Sequence, residues 1–255
     1  MQSWLKSLSL VLLLAIAFGG CKQSILEDEG GNTIDENIRL RIFPYWNNYF
    51  FSTDSIYLAG GSFIQIDKIS IIHSNFTFVN DGDTLEPGPV VEWHTGMGNE
   101  IFMGSLPTGT YSGFYFFNIG VDSVSDAFPP SFYPEGSVLG KGDHYRGPLL
   151  GGYNYVTITG NIVNPAAPLL GPSIPMTWLI ATQDLVTTYD RAKSFNVVPG
   201  KYVTIDVKLD VSKLFTSLSP LTTPTIASNP NDQNDFDQAV ILHENFSKEA
   251  YEIEL

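Results

Sequence analysis

Four histidines, His73, His94, His144 and His243, are the residues of this 255-residue chain best suited to chemistry, because imidazole serves both proton transfer and metal binding. Their surroundings narrow the options. The His-Glu-x-x-His spacing of zinc hydrolases is absent, since His243-Glu244 runs into Asn245-Phe246-Ser247, and there is no Gly-x-Ser-x-Gly nucleophile elbow. Residues 231–237 are rich in Asn and Asp but lack the central glycine and terminal glutamate of a calcium loop. The expectation is a non-catalytic protein. In Trp93-His94-Thr95-Gly96-Met97 an imidazole and a thioether stand three residues apart in a glycine-containing loop, a spacing that lets both reach one soft ion such as copper(I). His144, in Lys141-Gly142-Asp143-His144-Tyr145-Arg146, is the third candidate ligand. The candidate metal site is therefore His94, Met97 and His144, with copper as its ion. His73 falls in a strand and His243 on a helix, and both read as hydrogen-bonded structural residues. The aromatic run Tyr45, Trp46, Tyr49, Phe50 and Phe51 offers a different chemistry, stacking on sugar rings. It supports the alternative of a surface glycan-binding or protein-interaction module.

Cys21 is the only cysteine, which excludes an intramolecular disulfide. It follows a start bearing Lys6, an apolar run from Leu8 to Ala17, and the small residues Gly19 and Gly20. That layout is a secretory signal, and a cysteine at the first mature position resembles the bacterial lipoprotein signal, in which the thiol carries a diacylglycerol. The run is shorter than the roughly 20 residues a spanning helix needs. Residues 1–20 are thus expected to be a lipoprotein signal peptide and Cys21 a lipid anchor, placing the protein in the cell envelope on the outer membrane, at its periplasmic side or the cell surface. Residues 21–37 are acidic with a Gly-Gly pair and read as a flexible tether. Net charge is −14. Such acidity excludes nucleic acid and anionic headgroups as partners, which leaves the lipid to hold the membrane.

Residues 38–255 are expected to form one domain, long enough to bury a core at 43% hydrophobic content. Charged residues make up only 16%, while Phe, Tyr, Thr, Gly and Pro are plentiful, a mixture that favours strands and turns. Ile38, Leu40 and Ile42 alternate with Arg39 and Arg41, and Val203, Ile205, Val207 and Leu209 alternate with polar residues, the period of half-buried strands. Residues 63–78 read as one long bent strand, or two separated near Asp67-Lys68, followed by a turn at Asn80-Asp81-Gly82-Asp83. Further strands are expected near 90–93, 101–106, 111–119, 153–162, 176–182, 193–198 and 250–255. Residues 122–152, with four prolines, are an irregular excursion that reads either as a binding surface or as a packed crossover with no ligand. Asp210 and Asp235 are placed to cap two short helices. The fold class is all-β, an immunoglobulin-like or jelly-roll-like β-sandwich with two short C-terminal helices.

Several stretches, in this order, resemble the MbnP-like family of exported copper-binding proteins found among lipoproteins of Bacteroidetes-type bacteria. They are Ile72-His73-Ser74-Asn75-Phe76, Gly109-Thr110-Tyr111, Phe117-Asn118-Ile119-Gly120-Val121-Asp122-Ser123, Gly151-Gly152-Tyr153 and Ala239-Val240-Ile241-Leu242-His243-Glu244-Asn245-Phe246. The resemblance implies a copper-binding envelope protein and, in some members, a di-haem partner that oxidises a tryptophan. The chain departs from the family in two places. Arg146-Gly147-Pro148-Leu149-Leu150 stands where paired tryptophans are usual, and Met176-Thr177-Trp178-Leu179-Ile180 where a histidine-bearing strand is expected. Together these imply an exported binding protein whose copper binding is weakened or lost.

Overall fold

A computed structural model describes residues 37–80, 83–85, 90–111, 114–147, 149–150, 152–163, 173–192 and 194–254. Cys21, the signal segment, the tether up to residue 36 and the turn residues Asp81 and Gly82 lie outside the described residues. The first half of the fold runs β1 (Ile38–Trp46), β2 (Tyr49–Phe50), β3 (Ile56–Ala59), β4 (Ser62–Asn80), β5 (Asp83–Leu85), β6 (Val91–His94), β7 (Glu100–Gly104), β8 (Gly109–Tyr111) and β9 (Phe114–Ile119). A short helix α1 (Ser123–Ala127) opens the excursion. The second half runs β10 (Asn154–Val163), β11 (Ile174–Ala181), β12 (Thr187–Ala192), β13 (Phe195–Val197), β14 (Val203–Asp210), β15 (Thr225–Ile226), helix α2 (Gln233–Glu244) and β16 (Tyr251–Glu254).

Alternation in sequence becomes alternation of faces. In β1, Ile38, Leu40 and Ile42 are fully buried while Arg39 and Arg41 lie on the other side. β1 pairs in parallel with β14, Ile38 opposite Val203 through Tyr45 opposite Asp210, within a sheet ordered β16-β14-β1-β2 with β7 also on β1. Its outer face is tied by cross-strand pairs: the Arg41 guanidinium donates Nε and Nη2 to the Asp206 carboxylate, both at 2.6 Å, and Arg39 Nε donates to Thr204 Oγ1 at 2.8 Å. The larger sheet is ordered β12-β9-β4-β10-β11-β15, with β3, β5 and β6 also pairing β4, and β8 and β13 form a separate ribbon.

The two sheets face each other across one continuous apolar cluster. Ile38, Leu40, Ile42, Val207 and Leu209 come from the first sheet; Ile64, Ile66, Ile69, Ile71, Ile158, Trp178 and Ile180 come from the second. Each such fully buried side chain contributes about 1.5–3 kcal/mol. His73 on β4 reaches across this core to Tyr251 on β16, its Nε2 lying 2.9 Å from the phenol oxygen. The all-β sandwich expected from sequence is the observed class.

A smaller cluster lies on the outer face of the larger sheet, where Ile72, Val121, Tyr153 and Tyr155 are covered by Leu139, Val138 and Tyr145 of the excursion. Residues 122–147 are therefore a packed cover over one end of that sheet. Asp122 caps α1, accepting from the Val124 and Ser125 amides. Asp126 accepts from the Tyr153 amide at 2.9 Å and fastens the cover to the start of β10.

The two helices expected after β14 take different forms from those predicted, and a π-helical turn (Asn245–Ala250) continues the second. Asp210 caps a 3-10 turn over Val211–Phe215, whose Val211, Leu214 and Phe215 are buried. The α2 helix is capped by Asp232, whose carboxylate accepts from the Asn234 and Asp235 amides. Asp235, the cap expected from sequence, instead accepts from the Ala227 and Asn229 amides at 2.8 and 2.6 Å and ties the preceding loop to the helix. No helix among the described residues is long and apolar enough to cross a membrane.

Candidate functional site

The outer face of β4 and β6, beside the excursion, gathers the titratable side chains that sequence reasoning singled out. On β4, Ile69 and Ile71 turn inward, so Lys68, Ser70 and Ile72 turn outward. On β6, Trp93 is buried in the main core, so Glu92 and His94 share the outward face. The antiparallel register sets Ser70 opposite His94 and Ile72 opposite Glu92. The excursion then delivers His144, which is 5% exposed and held by its own backbone carbonyl, which accepts from the Asn154 amide at 2.8 Å.

Glu92, which sequence reasoning missed, is the centre of this cluster. Its Oε1 accepts from Ser70 Oγ at 2.6 Å and lies 3.5 Å from Lys68 Nζ. His144 Nε2 is 3.2 Å from the same oxygen, an ion-pair distance without the alignment of a hydrogen bond. Burial by itself would raise the Glu92 carboxyl, but His144, Ser70 and the Lys68 ammonium together pull it down to about 2. The carboxylate is ionised at any physiological pH.

His94 is lowered by burial and by the Lys68 ammonium, against the opposing pull of Glu92, so its ring is neutral at pH 7. Its Nδ1 accepts a hydrogen bond from the Gly96 amide at 3.0 Å, closing the loop on itself. Met97 continues that turn, its amide donating to the His94 carbonyl at 2.9 Å, and its side chain is 41% exposed. The structure thus brings His94 and His144 to one surface around Glu92.

Of the other histidines, His73 is the buried link between the sheets. His243 is half-buried, its Nε2 2.7 Å from Thr187 Oγ1, joining α2 to β12.

Part of the donor set that a copper ion would need is already engaged. A copper site needs free lone pairs on nitrogen or sulfur. Here the Nδ1 lone pair of His94 is taken by the Gly96 amide and the Glu92 carboxylate by Ser70 and Lys68, whereas His144 Nε2, 3.2 Å from Glu92, makes no aligned hydrogen bond. Among the described residues no three His, Cys, Asp or Glu side chains converge in an arrangement able to hold a metal ion. The family's other expected positions carry structural residues. Arg146 Nη2 donates to the carbonyls of Ala227 and Ser228, both at 2.8 Å, and Trp178, fully buried, donates Nε1 to the Thr223 carbonyl.

No family model matches the sequence, and no curated protein matches it. Among solved structures, MbnP from Methylosinus trichosporium is similar at 13% identity, over 70% of this chain and 76% of that chain, with a TM-score of 0.45.

Proposed function

We propose that the chain is a non-catalytic, exported binding protein of the MbnP-like kind, anchored to the outer membrane through lipid on Cys21, that has given up copper as a resident ion. The observation that carries the loss of copper is the engagement of the donors: His94 Nδ1 closes its own loop, and Glu92 is shared by Ser70, Lys68 and His144. The ordered motifs from Ile72 to Phe246 support the family reading, and the layout from Lys6 to Cys21 supports the anchor. A di-haem partner belongs with the copper chemistry and falls away with it.

Titration of the purified chain with copper, in its cuprous and cupric states against a competing chelator, tests this reading. The expected result is no stoichiometric complex and no change of thermal midpoint on adding copper. One tightly held copper per chain, lost in His94→Gln or His144→Gln, would show that the donors exchange their partners for metal and would sink it.

A further inference from the structure

The hairpin joining β1 and β2 leaves large rings in solvent. Asn47 and Asn48 both have positive φ, 49° and 70°, the backbone that a tight two-residue hairpin turn requires, so the tip has a fixed shape. It carries Tyr49 and Phe50, each 79% exposed. Phe50 stacks on its cross-strand partner Tyr45, ring centres 5.2 Å apart. Tyr49 stands opposite Trp46 in the register and therefore on the other face of the hairpin.

Beside that face runs a groove of about 280 Å³ between the hairpin, the turn from β3 to β4 and the 3-10 turn after β14. Trp46 lines it, fixed by stacking on Tyr57 at 4.2 Å between ring centres. Asn47, Ser212, Lys213 and Thr216 add an amide, two hydroxyls and an ammonium to the wall. Ser212 Oγ, 3.0 Å from Asn47 Oδ1, orients the amide.

Rigid exposed rings beside a polar groove match one ligand chemistry well. The C–H face of a sugar ring packs against an aromatic face, and its hydroxyls both give and take hydrogen bonds, which amide, hydroxyl and ammonium groups supply together. Asn47 and Ser212 bond each other, Ser212 also donates to Asp210, and Lys213 stands exposed beside them, so the wall of the groove is polar and hydrated. We propose that the β1–β2 hairpin and its groove form a saccharide-binding site, with Tyr49 as the stacking platform and Asn47, Ser212 and Lys213 as the hydrogen-bonding groups. The site gives the tethered binding protein a ligand class and rests on that reading, but not on copper.

Affinity electrophoresis of the full chain through native gels containing dextran, xylan, pectin or mannan tests it. Retardation is expected in at least one gel, with affinity about tenfold weaker in Tyr49→Ala, the worth of one stacking contact, and retained in Tyr49→Phe. Leu149→Ala, an exposed apolar change in the excursion, should migrate as the parent does. Unaltered migration in all four gels, or retardation that Tyr49→Ala leaves intact, would overturn the site. So would a concentration-dependent dimer abolished by Tyr49→Ala, which would give the hairpin to a second copy of the chain. The copper titration reads independently, so failure of the saccharide site and failure of the copper-free reading are told apart.

Discussion

His73 and Glu92 both make the fold sensitive to acid, but in different windows. Burial lowers His73 from 6.5 to about 3, so between those pH values the unfolded chain binds a proton that the native chain refuses. More protons on the unfolded side means that stability rises with pH there, by about 1.4 kcal/mol per unit at the steepest, and falls on acidification from 6.5 towards 3. Glu92 has a depressed carboxyl, so its contribution is present above 4.5 and lost as pH falls towards about 2. Urea unfolding followed from pH 7 to pH 3 should therefore show a loss that begins near 6.5, before most carboxylates titrate. In His73→Leu the slope between 6.5 and 4.5 should flatten, while stability at pH 7 drops by about 1 kcal/mol for the lost hydrogen bond to Tyr251. An unchanged slope would show that another group titrates there. The histidines were legible in the sequence as candidates, and two of the three proposed ligands do face one cluster. Glu92 was not, because a carboxylate in an alternating strand reads as solvated. Only the fold of residues 122–147 lays His144 over it, 52 positions away in sequence.

β4 is the element on which the site depends, since it pairs with β3, β5, β6, β9 and β10 along its 19 residues. Its core-facing residues are Ile64, Ile66, Ile69 and Ile71, a spacing of two, three and two. The middle step is one residue too long for a regular strand. The structure absorbs it as a bulge against β10, between Lys68 opposite Thr159 and Ile66 opposite Gly160, so residues 63–78 run as the one long strand expected rather than as two separated near Asp67-Lys68. The signal was present in the isoleucine spacing. The bulge turns Lys68 and Ser70 to the same face as Glu92, and it works only because Gly160 has no side chain. A Cβ at Gly160 would lie 2.3 Å from the Gln65 carbonyl oxygen. Gly160→Ala should therefore cost about 3 kcal/mol, read as a lower urea midpoint, whereas Gly98→Ala, with nothing within 4 Å, should leave the midpoint in place. Equal midpoints for the two variants would mean that the strands can part there without cost. The helix caps were less legible than the bulge. Asp232 and Asp235 are equivalent as letters, and the choice between them is made by the amides of Ala227 and Asn229, which the preceding loop folds back onto Asp235.

Across the whole molecule, charge and topology bear on how such a sandwich would be held at a membrane by the proposed lipid. The chain carries 27 acidic and 13 basic side chains, for a net charge of −14, so an anionic leaflet repels it. Of the basic side chains of the first sheet, Arg39 and Arg41 are already paired with Glu100 and Asp206, and Lys208 reaches the Asn48 amide oxygen. The same sheet is closed by strands from both ends of the domain, with β1 beside β14 and β16 beyond it, so the strand that follows the tether is a pinned interior strand. At its start Asn37 exchanges two hydrogen bonds with the Leu106 backbone, at 2.8 and 2.9 Å. With electrostatics opposing contact, the attachment proposed through Cys21 would be hydrophobic, and hydrophobic attachment is insensitive to salt whereas charge-driven attachment is screened. Cells making the parent chain should yield it in the membrane fraction after a high-salt wash, labelled by a fatty-acid precursor. Cys21→Ser should carry no label and, where it is processed at all, should leave with the soluble fraction. Release of the parent by salt, or membrane retention of a processed Cys21→Ser chain, would move the attachment from the lipid to the protein surface.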